Sequence, residues 1–165
     1  MEVPLILTLA LEQNAFQFFN ALRKIYFPAS KADAHLTLFR LLPNEPSIIQ
    51  EVAKKANEQS IITLQVKEPV LTTNGVAYTI ESSQLQQLHK DFQRLWQAFL
   101  IPQDKEDLWA HVTIQSNVPI EQANELLEFL VGNFCAFDII ATGLQLWENQ
   151  GGTWKLFREF PFIKD

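Results

Sequence analysis

The sequence predicts an α+β fold made from one unit used twice. Antiparallel sheets line a central cleft, helices lie outside, and a pseudo-twofold axis relates the halves. Three observations predict it. A strand-like phrase occurs twice, as Ala34-His35-Leu36-Thr37-Leu38 and Ala110-His111-Val112-Thr113-Ile114, with His111 following His35 by 76 positions in a chain of 165. The elements around the two copies come in the same order. The chain is also 47% hydrophobic, with 13 Phe and 4 Trp, enough apolar surface for one packed interior shared by two small lobes.

The elements follow from local pattern. Val3 to Leu11 is a continuous apolar run with β-branched residues, as in a central strand. Asn14 is a candidate cap for a helix to about Tyr26, which carries Phe16, Phe19, Leu22 and Tyr26 on one face and stops before Pro28. The first His strand covers about 34 to 42. Ser47 starts a helix to about Glu58 with Ile48, Ile49, Val52 and Ala56 at helical spacing. Ile61 to Val70 and Val76 to Glu81 form a hairpin across Thr73-Asn74-Gly75. Ser82 or Ser83 caps the longest helix, to about Phe99, with a stripe of Leu85, Leu88, Phe92, Leu95, Trp96 and Phe99. The second His strand runs from about Trp109 to Ser116, and Pro119 opens a helix to about Gly132. Phe134 to Trp147 is a long strand with an expected kink at Gly143. Asn149 to Gly152 turns the chain into a final strand, Thr153 to Phe160.

Each half therefore reads as helix, apolar-Pro pair, polar loop, Ala-His-x-Thr-x strand, Pro-led helix, strand, Gly-containing turn and strand. No Gly-, Ser- or Pro-rich linker divides them, so residues 1–165 form one bilobal domain with a shared groove.

Composition narrows the partners. A formal charge of −6 without a Lys/Arg run disfavours the many phosphate contacts that duplex nucleic acid requires, but leaves room for one phosphate. The lone Cys135 permits no intrachain disulfide and fits a reducing, cytoplasmic setting. Residues 3 to 11 lack the basic flank of a signal peptide, and no run approaches the ~20 apolar residues of a transmembrane helix. A monomer is expected.

The chemistry lies in the two copies. Side chains alternate along a strand that rises ~3.3 Å per residue, so His35 and Thr37 share a face, as do His111 and Thr113. A pseudo-twofold axis brings the pairs together across the groove. One neutral imidazole can then take a proton from an attacking water or hydroxyl, while the other, protonated, donates to the leaving oxygen. An ordinary histidine pKa of ~6.5 permits both forms near neutrality. Thr hydroxyls can donate to non-bridging phosphate oxygens. No metal is expected, since His with Thr is a poor ligand set and no Cys cluster or His-Glu-x-x-His accompanies it.

His35-Leu36-Thr37-Leu38 and His111-Val112-Thr113-Ile114 resemble the paired His-x-Thr/Ser-x motifs of the 2H phosphoesterase superfamily. The chain is similar over nearly its whole length to the 2′-5′ RNA ligase and cyclic phosphodiesterase-like branch. The resemblance implies a bilobal fold with one motif per lobe. It also implies metal-independent action, without cofactor, on 2′,3′-cyclic phosphates, 2′-5′ linkages or related nucleotide and RNA-end substrates. By the same resemblance His35 and His111 form the acid–base pair, in either order, and Thr37 and Thr113 bind phosphate. Several relatives carry Arg five positions after the second motif histidine. This chain has Ser116 there and Arg40 at the first motif, where strict alternation turns Arg40 away from His35 unless a bulge intervenes. The alternative function is a non-catalytic nucleotide or RNA-end binding module using the same cleft.

Phe39 and Trp154 are candidate cleft walls, with core packing the competing role for each. His89, among Gln86, Gln87 and Lys90, reads as a surface histidine, and Lys54, Lys55 and Lys105 as solvated charges. Cys135 reads as buried packing.

Overall fold

A computed structural model describes residues 2–164. Seven strands and four main helices follow the expected order: β1 Leu5–Leu11, α1 Gln13–Tyr26, β2 Leu36–Leu42, α2 Pro46–Asn57, β3 Ile62–Leu71, β4 Val76–Glu81, α3 Ser83–Trp96, β5 His111–Gln115, α4 Ile120–Gly132, β6 Phe137–Asn149 and β7 Trp154–Pro161. A short 3-10 turn, Pro102–Lys105, precedes β5. Every strand pairing is antiparallel. No helix among the described residues is long and apolar enough to cross a membrane.

The strand order β2-β1-β6-β3-β4-β5 is a palindrome of two three-stranded halves joined between β6 and β3, with β7 added beside β6. It shifts the boundaries of the repeat. The sequence suggests units that open on a helix and close on a hairpin. The pairing instead relates β1-α1-β2-α2-β3 to β4-α3-β5-α4-β6, leaving β7 outside. Each half-sheet takes its third strand from the other repeat: β6 pairs with β1, and β3 with β4. Both motif strands, β2 and β5, end up as the outer strands of the path.

The helices cross over too. Helix α1 packs beside β5, and α3 covers β2 through Phe92 and Trp96, whose rings lie 6.2 and 5.1 Å from Phe39. A single apolar cluster under the helices holds Leu5, Leu7 and Leu9 of β1 with Ile48, Val52, Ile62, Leu64 and Phe92, all essentially inaccessible. Burial of such side chains contributes roughly 1.5–3 kcal/mol each and is the main force closing the lobes.

Several local expectations change. Glu12, without a side-chain cap bond, precedes α1, and Asn14 lies inside the helix. Ser82 does cap α3, accepting from the Leu85 N–H at 3.1 Å. That helix stops at Trp96, short of Phe99, and Leu95, though inside it, lies off the face that Leu85, Leu88, Phe92 and Trp96 bury, so both stand exposed. Pro119 is the residue just before α4. The kink near Gly143 appears as a register shift in β6 opposite Ala10 and Leu11. Cys135 is exposed, not buried, because it follows α4 in a loop outside the core. Lys55 pairs with Asp91 at 2.8 Å and is not a free solvated charge.

Gly75 is needed for a different reason from its turn. A Cβ there would lie 1.8 Å from the Gln115 carbonyl oxygen, so only glycine lets β5 lie against the hairpin.

Candidate functional site

The two motif strands face each other across a cleft of about 460 Å³. His35, Thr37, His111 and Thr113 all line it, together with Trp154 and Arg40. Each imidazole is held the same way. The His35 Nδ1 lies 2.7 Å from the Asp33 carbonyl, and the His111 Nδ1 lies 2.7 Å from the Trp109 carbonyl. A carbonyl only accepts, so each Nδ1 carries the proton and each Nε2 is the nitrogen left for exchange. The carbonyl two residues before the histidine thus fixes the tautomer in both halves.

Aromatic rings seat the imidazoles. His111 stacks on Trp109 at 3.9 Å and 15°, and His35 lies 4.6 Å from Trp154 at 48°. Burial lowers the pKa of both imidazoles, against the opposing pull of the carbonyl bonds. Charge on Arg23 and on His111 depresses His35 further, and Arg40 depresses His111. The effect of His111 on His35 places the two histidines in one electrostatic field.

Both motifs end in a bulge at the same position. Between β1 and β2, Thr8 faces Thr37 but Leu7 faces Phe39, which leaves Leu38 as the extra residue. Between β4 and β5, Ala77 faces Thr113 but Val76 faces Gln115, which leaves Ile114 extra. An extra residue reverses the alternation of the residues that follow it, here Phe39 and Arg40, until a second irregularity before Leu42 restores it. Phe39 is therefore not a cleft wall: it is wholly buried and stacks on His89 at 4.5 Å and 9°. The same reversal brings Arg40 to the cleft. Ser116, its counterpart, instead donates to Asn74 Oδ1 at 2.9 Å.

Outer strands leave backbone groups unpaired, and here side chains from the opposite repeat satisfy them. Arg23 of α1, buried, donates to the Thr113 carbonyl at 2.7 Å, and also to Ser30 Oγ at 2.7 Å and the Ala32 carbonyl at 2.9 Å. It ties the second motif to the loop before the first. In return, buried His89 of α3 lies with Nε2 3.1 Å from the Leu38 carbonyl, to which it donates. Buried Asp104 accepts from the Arg40 N–H at 3.0 Å and the Leu41 N–H at 3.1 Å. His89 is accordingly no surface residue. Burial lowers its pKa, opposed by the carbonyl bond and by Asp104 and Asp107.

Sequence reasoning missed Arg23, His89 and Asp104. Two carried a signal. Phe16, Phe19, Arg23 and Tyr26 follow helical spacing, as do Leu85, His89, Phe92 and Trp96, so both polar residues lie in line with apolar faces. Asp104 has no such mark, since its partners belong to β2. Among the described residues, no three His, Cys, Asp or Glu side chains converge as a metal-binding group.

The fold and the facing His-x-Thr strands define a two-lobed α+β protein in which each repeat brings one motif to a shared cleft. Residues 11–153 match the family described as the 2′-5′ RNA ligase superfamily, and the chain belongs to it. Its fold is similar to that of TT0787 of Thermus thermophilus, with TM-score 0.66 and 11% identity over 96% of this chain and 97% of that one. It is also similar to a solved phosphoesterase, with TM-score 0.64 and 14% identity over 99% and 100% of the chains. E. coli LigT, solved with 3′-AMP, gives TM-score 0.62 and 13% identity over 99% and 100%. No curated protein matches the sequence.

Proposed function

We propose that the cleft hydrolyses 2′,3′-cyclic phosphates, 2′-5′ linkages or related nucleotide and RNA-end phosphodiesters by metal-independent acid–base catalysis. The observation that carries this reading is the matched pair of Nδ1–carbonyl bonds, which leaves two Nε2 atoms for proton transfer on one cleft. In the hydrolytic direction, one neutral Nε2 takes the proton from water as the water oxygen attacks phosphorus. The other, protonated, gives its proton to the departing ribose oxygen. The histidines exchange protonation states and solvent resets them. Thr37 and Thr113 donate to the non-bridging oxygens as charge builds there, and Arg40 adds a cation. The depressed pKa values leave a neutral base ready in the free protein, and the bound phosphate's negative charge raises the value of whichever imidazole acts as acid. Family membership supports the reaction class. The nucleotide seen in LigT supports a substrate of that kind.

The test incubates wild type, His35→Ala and His111→Ala with 2′,3′-cyclic nucleotides and 2′-5′-linked dinucleotides in excess chelator. Wild type is expected to turn over at least one class, with each variant slower by about 10²–10⁴. Variants as fast as wild type would sink the mechanism, and loss of wild-type activity with chelator would point to a metal. Binding without turnover would favour a non-catalytic module.

A further inference from the structure

A second cavity, of about 660 Å³, opens on the far side of His35 and Trp154, which line both spaces. Asp33, whose carbonyl holds His35 Nδ1, is part of its wall. The volume falls in the range of small-molecule sites. It runs over the β1-β6-β7 face, where a chain of hydrogen bonds has only one possible direction. Trp147 Nε1–H can only donate, and it does so to Thr8 Oγ1 at 2.8 Å. The Thr8 hydroxyl, inaccessible to solvent, then donates to Gln145 Oε1 at 3.2 Å. That fixes the amide, whose Nε2–H donates to Glu159 Oε1 at 3.0 Å. Three residues from two strands thereby hold the exposed carboxylate of Glu159, on a third strand, at the cavity. The indoles of Trp147 and Trp154, with centroids 6.3 Å apart, provide aromatic surface beside it.

Because His35 and Trp154 wall both spaces, a nucleotide whose phosphate sits between the imidazoles can reach this cavity with its base. Indole faces stack on any base. A carboxylate accepts hydrogen bonds only, so it rewards an exocyclic amino group and is repelled by uracil, whose one N–H lies between two carbonyl oxygens. We propose that this cavity is a nucleobase subsite, in which Glu159, positioned by Trp147, Thr8 and Gln145, selects bases with an exocyclic amino group and disfavours uracil. The proposal rests on the phosphodiesterase reading only for the placement of the phosphate.

Binding and turnover separate the two. Calorimetric titration of wild type and Glu159→Gln with the four 3′-nucleoside monophosphates reads the subsite, and kcat/KM for the four 2′,3′-cyclic nucleotides reads the chemistry. Wild type is expected to bind the adenine, cytosine and guanine nucleotides about tenfold more tightly than the uracil nucleotide, and Glu159→Gln to bring all four within about threefold. Equal binding of all four by wild type overturns the subsite. So does a Glu159→Gln variant that keeps the preference, or one that weakens every nucleotide equally. Base-selective binding without turnover of any cyclic nucleotide supports the subsite and overturns the catalytic reading instead. Glu159→Ala, checked by thermal melting, serves if the Gln variant is unstable.

Discussion

The two motif strands repeat one geometry and differ in everything around it. Each places a histidine with Nδ1 on the carbonyl two residues back, a threonine two residues on, and a bulge at the following residue. Beyond that the halves diverge. Strand β2 is braced by His89 and Asp104, carries Arg40 to the cleft and meets Trp154. Strand β5 is braced by Arg23, carries Ser116 out of the cleft and meets Trp109. The shared parts are those a proton-transfer pair requires. The differing parts make an asymmetric site, with a cation and the second cavity both on the β2 side.

Breaking a brace should have the largest effect. Arg23→Ala leaves the Thr113 and Ala32 carbonyls without their buried donor, a cost of about 3 kcal/mol, read as a lower midpoint in urea denaturation. Because Arg23 joins the two motif segments, activity at temperatures where the variant stays folded should fall as well.

The threonines come next. Thr37→Val and Thr113→Val keep the strand shape and remove one donor each, so kcat should fall about 10- to 100-fold with a smaller change in KM. Equal losses would show that the symmetry extends to phosphate contact, and unequal losses would name the dominant half.

Arg40→Ser makes the first motif match the second at this position. It should raise KM about tenfold while Thr37→Val acts mainly on kcat, since Arg40 is an exposed cation beside the phosphate position.

The smallest effect is on the pH dependence of stability. His35, His89 and His111 all have pKa values below the ordinary one. The unfolded chain therefore binds more protons as pH falls through ~6.5, so stability is full above that value and drains below it. His89→Gln keeps a donor for Leu38 and removes one titration. The stability difference between pH 7.5 and 5.5 should therefore shrink in denaturant melts, and a difference equal to that of wild type would show that His89 does not contribute.

The sequence made the paired strands, the helices and the hairpin legible because each is a local pattern. Alternation placed His35 with Thr37 and His111 with Thr113 correctly on one face. It failed at Phe39 and Arg40, because the bulge at Leu38 is set by pairing with β1, not by the residues of β2. His89 was misread from its polar sequence neighbours, while its position in line with Leu85, Phe92 and Trp96 marked the buried face. The exchange of third strands, and with it the braces from the opposite repeat, depends on contacts between distant segments and has no local trace.

The central claim is that the two Nε2 atoms divide the roles of acid and base. The pH dependence of kcat/KM for a 2′,3′-cyclic nucleotide, measured on wild type, His35→Ala and His111→Ala, tests it most directly. Wild type should give a bell with both limbs displaced below the ordinary histidine range, since burial lowers both imidazoles. One variant should lose the acidic limb and the other the alkaline limb, which would also assign base and acid. Both limbs persisting in both variants would contradict the account.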